Sequence, residues 1–354
     1  MKKKIRVAVL FGGRSGEHEV SLRSAASVLA ALDRHKYEAL PIAIGKSGKW
    51  LTAAESAKLL PAAVQPTHPA TQALEILPQP GSADAVDVVF PVLHGTFGED
   101  GTVQGLLELA GVPYVGAGVL GSAVAMDKDV MKRLFRERGL PTPEHVAVLR
   151  EQIRTRPARL VRKLEKQFDY PMFVKPANLG SSVGISKARN RRELAEALEL
   201  AARFDRKVMI ERAIVGREIE CSVLGNDHPE ASLPGEIIPS REFYDYEAKY
   251  IDENSQLIVP APLTAAQTRR VQRLAVEAFL VCECSGMARV DFFLERKTRR
   301  ILVNELNTIP GFTSISMYPK LWEASGLAYR DLIDRLIQLA LERHAEKART
   351  RYSI

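Results

Sequence analysis

The stretch ARVDFFLERKTRRILVNELNTIPGFTS, residues 288–314, sets Asp291, Glu305 and Asn307 into two apolar, β-prone runs separated by the charged segment 295–300. If that segment is an antiparallel turn centred on Thr298, Asp291 faces Glu305 and Arg289 faces Asn307. Side chains alternate along a strand with period two, so all four share one face. Opposed Cβ atoms lie about 5 Å apart, so two unpaired carboxylates would repel and one would keep its proton. A hard divalent cation removes that conflict, because Mg²⁺ takes oxygen ligands, commonly one or two carboxylates together with substrate phosphates. The other face, Val290, Phe292 and Leu294 with Leu302 and Leu306, is expected to supply the core, with Asn304 as its polar exception. A solvated hairpin whose acids pair with Lys297, Arg299 or Arg300 is the competing reading, and a one-residue bulge would split the set. The hairpin alone leaves both open.

A second constellation is FVKPANLGSSVG, 173–184. An apolar strand ends on Lys175, and the loop that follows is rich in N–H and hydroxyl donors able to close over phosphate oxygens. It fits neither G-x-x-x-x-G-K-[ST] nor G-x-G-x-x-G, and neither does FGGRSG, whose glycines fall at 12, 13 and 16. A dinucleotide-dependent dehydrogenase therefore lacks its fingerprint. Alone, such a loop is an ordinary hairpin turn; beside Lys175 and a metal-binding hairpin it becomes a lid over a nucleotide. MIERAIVGREIECSVLG, 209–225, adds Glu211 and Glu218. They read either as exposed strand-end acids or as acceptors for the amine of adenine and the hydroxyls of ribose.

These residues need a scaffold. A chain of 354 residues exceeds the size at which one core stops growing, so two or three domains are expected. Runs 5–11, 39–45 and 86–95 read as strands and 21–32 as a helix, a βαβ rhythm that predicts a parallel, helix-covered sheet. Residues 52–82 read as a surface excursion, and 128–139 as a helix stopped by Gly139 and Pro141. From about 141 the rhythm changes to a hairpin around the glycine loop, then a helix at 191–203, further strands, a loop at 239–256, a helix at 265–284, and helices over 320–346. The divisions drawn are 1–125, 126–220 and 221–354.

Composition narrows the partners. The net charge is +7, without a block of five or more like charges or aromatic–basic interleaving, so an anionic small molecule suits the balance without nucleic acid. Three cysteines make no disulfide framework, and buried thiols in a reducing compartment are expected. The apolar run after the first lysines reaches a glycine turn after about five residues, too short for a signal peptide, and no run reaches the ~20 apolar residues of a membrane span. A cytoplasmic protein is expected.

Seven segments in order resemble the successive signatures of the ATP-grasp superfamily, and specifically its D-alanine–D-alanine ligase family: FGGRSGEHEVSL (11–22), LHGTFGEDGTVQG (93–105), AMDK (125–128), FVKPANLGSSVG, YDYEAKY (244–250), ARVDFF and NELNTIPGFTSISMYP (304–319). The resemblance spans nearly the whole chain; Leu306 and Ile309 stand where relatives vary among small or apolar residues. It implies an α/β ATP-grasp fold with a Rossmann-like amino-terminal domain holding the first D-alanine site, a central lid domain, and a carboxy-terminal domain with the metal hairpin and acceptor site. It also implies ATP, two Mg²⁺ ions (Mn²⁺ able to substitute), two D-alanines as substrates, and a homodimer.

Residue by residue, the resemblance assigns Asp291, Glu305 and Asn307 to the metals, and Lys128, Lys175, Ser181, Ser182, Asn304 and Glu305 to the ATP site. Glu211, Arg212, Ile214 (by its backbone) and Glu218 would hold adenine and ribose, Phe243 would pack on the base, and Lys249 would reach the γ-phosphate. Glu17 would bind the first ammonium, linked to Ser181 and Tyr250, with His94 in the same subsite. Arg289 and the N–H of Gly311 would stabilise the tetrahedral oxyanion, and Ser316 with the Met317 backbone would bind the second carboxylate. Glu99 and Asp100 are left as turn acids. The tyrosine at 250 resembles dipeptide-forming relatives rather than D-lactate-using ones. The alternatives are a ligase joining D-alanine to D-lactate or D-serine, and an idle nucleotide-binding module, which loss of Arg289, Asp291 or Glu305 would have supported.

Overall fold

The computed structural model describes residues 3–65, 86–180, 182–239 and 256–352. The first sheet has the order β2-β1-β3, with β1 Ile5–Gly12, β2 Tyr37–Ile44 and β3 Val88–Val92 all parallel. Beyond its first residue β1 is buried throughout, as a strand covered on both faces must be. Val7, Val9 and Phe11 pack toward the helix His18–Ala31 and the last helix, Tyr329–Lys347, whereas Ala8 and Leu10 pack with Val103 and Leu107. The chain's end thus returns to complete the core at its beginning. Phe312, from the loop after the hairpin, sits edge-on to Phe90 with centroids 5.8 Å apart.

The stretch read as a surface excursion is in part core. Thr52 closes a capping box on the helix Ala53–Lys58, whose Ala53, Ser56 and Ala57 are buried, and Ser56 Oγ accepts the N–H of Ala43 at 2.8 Å. Small residues hid this packing, because alanine carries little periodic signal. Residues 66–85 lie outside the described residues.

The second sheet runs β4-β7-β5-β6, from β4 His145–Leu149, β5 Met172–Pro176, β6 Ser186–Ala188 and β7 Lys207–Arg212. Here β5 and β6 form the expected antiparallel hairpin around the glycine loop, from Met172 opposite Ala188 to Val174 opposite Ser186. The helix Arg191–Phe204 buries Leu194, Ala197, Leu198 and Ala201 beneath it.

The third sheet has the order β11-β10-β8-β12-β13 with β9 beside β8, six strands among the described residues. They are β8 Gly216–Gly225, β9 Glu230–Ala231, β10 Gly235–Ile238, β11 Gln256–Ile258, β12 Gly286–Glu295 and β13 Ile301–Asn307. The division drawn at 220/221 falls inside β8. The helix Ala265–Val281 covers one face through Val271, Leu274, Ala275 and Ala278, packed on Ile219, Cys221, Val223, Val290, Phe292 and Leu294. Period-two alternation then sends Glu218, Glu220, Arg289 and Asp291 to the opposite face.

All three cysteines are free and buried. Burial pushes the Cys221 and Cys282 thiols up to about 12, which leaves them unreactive. Among the described residues no helix is long and apolar enough to cross a membrane.

Candidate active site

The hairpin has the expected register where it matters. Arg289 pairs with Asn307 and Asp291 with Glu305, so the four side chains share a face. A bulge follows: Phe292 pairs with Val303, and Asn304 is the extra residue, its Oδ1 buried without a hydrogen-bond partner among the described residues. The bulge reverses the alternation toward the turn. Leu302, expected in the core behind the hairpin, instead lies opposite Phe293, and Val303 takes its place beside Leu306.

The acids do not turn to the cations of the turn. Arg289 donates Nε to Asp291 Oδ1 and Nη2 to Oδ2, both at 2.7 Å, and Asn307 Nδ2 donates to Oδ2 at 3.0 Å. Glu305 Oε2 lies 3.9 Å from Lys128 Nζ, which donates to the Leu179 carbonyl of the glycine loop at 2.8 Å. Lys128 therefore joins the hairpin to the loop. On the other side of Asp291, across β8, stands Glu220, buried, with Oε2 3.1 Å from Arg289 Nε. Sequence reasoning passed over Glu220. Its signal was the spacing from Glu218, which puts both on one face of β8.

Among the described residues no three His, Cys, Asp or Glu side chains gather at metal-ligand spacing, and Asp291 is engaged by Arg289 and Asn307. The chemistry of the donor set nevertheless fits a hard cation: two carboxylates and an amide on one hairpin face, with Arg289 holding a positive charge against Asp291.

The lysine of the glycine loop belongs to a buried cluster. Lys175 pairs with Met209, so Glu211 is its diagonal neighbour on the same face. Lys175 Nζ meets Glu211 Oε1, and Lys132 Nζ meets Oε2 at 2.9 Å. Burial alone would raise the Glu211 carboxyl, but Lys132 and Lys175 outweigh it and hold its pKa down to about 2. Burial likewise opposes the Lys175 charge, and Glu211 with Glu305 overcomes it, raising that pKa. Burial lowers Lys132, against the pull of Glu211. Lys132 was also missed: residues 128–139 read as a helix with no buried face assigned, and Lys128–Glu137 turns Lys128, Asp129, Met131, Lys132 and Phe135 inward. Both oxygens of Glu211, expected to meet adenine, are thus taken by lysines. Arg212 pairs with Glu295 at 3.0 Å, Ile214 lies between β7 and β8, and Glu218 sits opposite Phe293 and Ile237.

The remaining residues gather where the first sheet ends. Glu17 is buried at the start of the first helix. A Cβ on Gly95 would come within 2.9 Å of its Oε2, and one on Gly180 within 3.2 Å, so the glycine loop lies over Glu17. His94 is buried with both ring nitrogens engaged, Nδ1 3.0 Å from the Ile309 carbonyl and Nε2 3.2 Å from Ser24 Oγ. Burial keeps it neutral by lowering its pKa. Gly311 packs so closely on Ser316 that a Cβ would lie 2.7 Å from its Oγ. Ser316 Oγ accepts the Thr313 N–H at 3.0 Å, just ahead of the helix Met317–Ala324, where backbone N–H groups and the helix dipole suit a carboxylate. Asp100 is a turn acid, accepting the N–H groups of Phe97 and Thr102. Glu99 is not: it accepts the N–H of Gly95 at 2.6 Å and that of Ile309, 210 residues away, at 3.2 Å. Ser182 lies in the glycine loop with φ 58°. Ser181, Phe243, Lys249 and Tyr250 lie outside the described residues.

Comparison with known proteins covers both ends of this site. Residues 6–117 match the family model for the D-ala D-ala ligase N-terminus, and 134–338 that for the C-terminus. The chain is 56% identical to a D-alanine–D-alanine ligase of Solibacter usitatus, over 99% of each chain. Among solved structures it resembles the D-alanine–D-alanine ligase from Coxiella burnetii, at 41% identity and a TM-score of 0.83, covering 98% of this chain and 96% of that one. It also resembles the VanG D-Ala:D-Ser ligase from Enterococcus faecalis, at 38% identity and a TM-score of 0.82, covering 96% and 100%.

Proposed function

The chain belongs to the D-alanine–D-alanine ligase family, with its ATP-grasp fold, and from that premise we propose that it joins two D-alanines to D-alanyl-D-alanine for peptidoglycan synthesis. The family uses ATP and divalent cations. The observation that carries the reading is the hairpin face, where Arg289, Asp291, Glu305 and Asn307 stand together and Lys128 ties Glu305 to the glycine loop.

A carboxylate is a poor electrophile at neutral pH, since its leaving group would be an oxide. In the first step a carboxylate oxygen of one D-alanine attacks the γ-phosphorus of ATP; the new P–O bond forms as the β,γ bridge breaks, and ADP leaves. In the second step the neutral amine of the other D-alanine attacks the acyl carbon. The C–N bond forms, inorganic phosphate departs, and the amine's proton is lost.

Phosphoryl transfer asks a protein mainly for positioning and charge. Lys128 and Lys175 supply positive charge at the phosphates, and Ser181, Ser182 and Lys249 are assigned to the same groups. Asp291, Glu305 and Asn307 would hold two Mg²⁺ ions, which neutralise phosphate charge when bound. Glu211, Arg212, Ile214, Glu218, Phe243 and Asn304 form the nucleotide side. Glu17 takes the first ammonium, with Ser181 and Tyr250 assigned to the same role, and His94 walls that subsite. Arg289 and the Gly311 N–H meet the oxyanion of the second step, and Ser316 with the Met317 backbone takes the second carboxylate. Covering the site matters because acyl phosphates hydrolyse.

The three-unit division assigns the first D-alanine to the amino-terminal sheet, the lid to the second sheet, and metals and acceptor to the third. A cytoplasmic homodimer completes the proposal, supported by Leu106, Leu109, Val119 and Leu120, which stand exposed on the helices Thr102–Leu109 and Val119–Met126. Sedimentation of the purified chain tests the dimer. The function is tested with D-alanine, ATP and Mg²⁺, following phosphate and dipeptide together, and then with D-lactate or D-serine as acceptor. One dipeptide per phosphate from D-alanine alone is expected. ATP turnover without dipeptide would remove the assignment.

A further inference from the structure

Glu99, which the ligase reading does not use, belongs to a set of buried hydrogen bonds whose direction is fixed. The Ile309 carbonyl can only accept, so His94 Nδ1 must carry the hydrogen across their 3.0 Å contact. In the neutral ring Nε2 is then an acceptor, and it takes the Ser24 hydroxyl hydrogen at 3.2 Å. Ser24 Oγ in turn accepts the N–H of Phe312 at 3.3 Å. From the other side Glu99 Oε1 accepts the N–H of Ile309, while Oε2 accepts that of Gly95, beside His94. The N–H groups of Gly95, Ile309 and Phe312, the His94 Nδ1–H and the Ser24 hydroxyl each meet an acceptor, which buried polar groups require. Burial keeps His94 in the neutral form this chain needs.

On the far side of the site these bonds end on Ile309 and Phe312. Between them lie Pro310, whose ring fixes its own φ, and Gly311, which has no room for a side chain against Ser316 Oγ. Phe312 is further held by its ring against Phe90 of the first sheet. The Gly311 peptide is therefore gripped at both ends by elements of the first third of the chain, although it belongs to the far side of the site.

We infer that Ser24, His94 and Glu99 form a staple that aims the Gly311 N–H, making Ser24 and Glu99 positioning residues for the amine-attack step. The inference rests on the ligase reading above, in which that N–H meets the oxyanion. The staple has no part in delivering the γ-phosphoryl group, so its loss separates the two steps. Phosphorylation of the first D-alanine continues, the amine attack slows, and more acyl phosphate is lost to water. A shift well under 1 Å at an oxyanion donor is enough to slow the acyl transfer by about tenfold or more.

The test measures phosphate released per dipeptide formed in the wild type, Ser24→Ala and Glu99→Gln. Ser24→Ala cuts the staple at Phe312. Glu99→Gln cuts it at the other end, because one glutamine atom becomes a donor facing a donor. The ratio reads only folded, active enzyme, so loss of folded protein in either variant leaves it unmoved. The wild type is expected to stay near one phosphate per dipeptide, and both variants to rise several-fold above it, with the KM for ATP unchanged. A ratio that stays at the wild-type value in both variants, whatever their rates, overturns the staple and leaves the ligase assignment standing. A wild type that releases phosphate without dipeptide overturns the assignment and the staple with it.

Discussion

The third sheet and the second each present carboxylates to lysine or arginine, and they do it differently. On β12 and β13 the side chains of Asp291 and Glu305 keep 14% and 21% of their exposure, and their partners are an arginine two residues away and a lysine at 3.9 Å. On β7 the Glu211 side chain keeps 2%, fixed between Lys132 and Lys175. A carboxylate near water can exchange one cation for another at little cost. A buried one cannot, since removing either partner strands a charge in a medium that does not solvate it. The hairpin acids can thus change partners, whereas the cluster on β7 keeps a lysine charged beside the glycine loop.

Breaking the hairpin side should cost activity and spare the fold. Asp291→Ala and Glu305→Ala are expected to abolish phosphate release, with circular dichroism and melting temperature close to the wild type. Full activity in either variant would contradict the metal assignment. Breaking the buried side should do the reverse in emphasis. Lys132→Met leaves Glu211 with one partner, and the destabilisation expected is about 3 kcal/mol by urea unfolding, the usual scale for removing half of a buried pair. A variant as stable as the wild type would show that the cluster is wetter than its burial indicates.

Much of this contrast is legible in the sequence, but only one half of it. Alternation along two short runs and a polar turn between them are local facts, so the pairing of Asp291 with Glu305 follows from the order of residues alone. The glycine-loop hairpin and the parallel first sheet are legible for the same reason. The bulge at Asn304 is not, because an extra residue leaves no mark in composition, and it moves Leu302 off the face it was expected to share. Lys132, Glu220 and Glu99 escape such a reading because charged residues are ordinarily solvated. What makes them buried is the arrival of segments distant in the chain: β7 over Lys132, β12 beside Glu220, and Ile309 against Glu99.

Acid should sharpen the comparison. A carboxyl whose folded pKa is depressed contributes stability above its unfolded value and loses it as pH falls toward the folded one. For Glu211 that window runs from about 4.5 down to about 2. Wild-type stability by urea should fall through this range, and the Lys132→Met variant should lose less and stop falling at higher pH, because its Glu211 carboxyl is less depressed. Identical pH profiles would separate the two residues energetically. The smallest effect belongs to the surface. Arg191 grips Glu165 with contacts of 2.6 to 3.2 Å, yet Arg191→Ala is expected to leave melting temperature and activity within error, since exposed pairs are screened by water and salt.

What decides the matter is whether the hairpin face binds cation and nucleotide together. Electron paramagnetic resonance of Mn²⁺, titrated into the protein with a non-hydrolysable ATP analogue, reads that binding without turnover. Wild-type protein should take up nucleotide-dependent Mn²⁺, and Asp291→Asn and Glu305→Gln should each lose most of it at an unchanged melting temperature. Undiminished Mn²⁺ binding in both variants would mean that these side chains do something else.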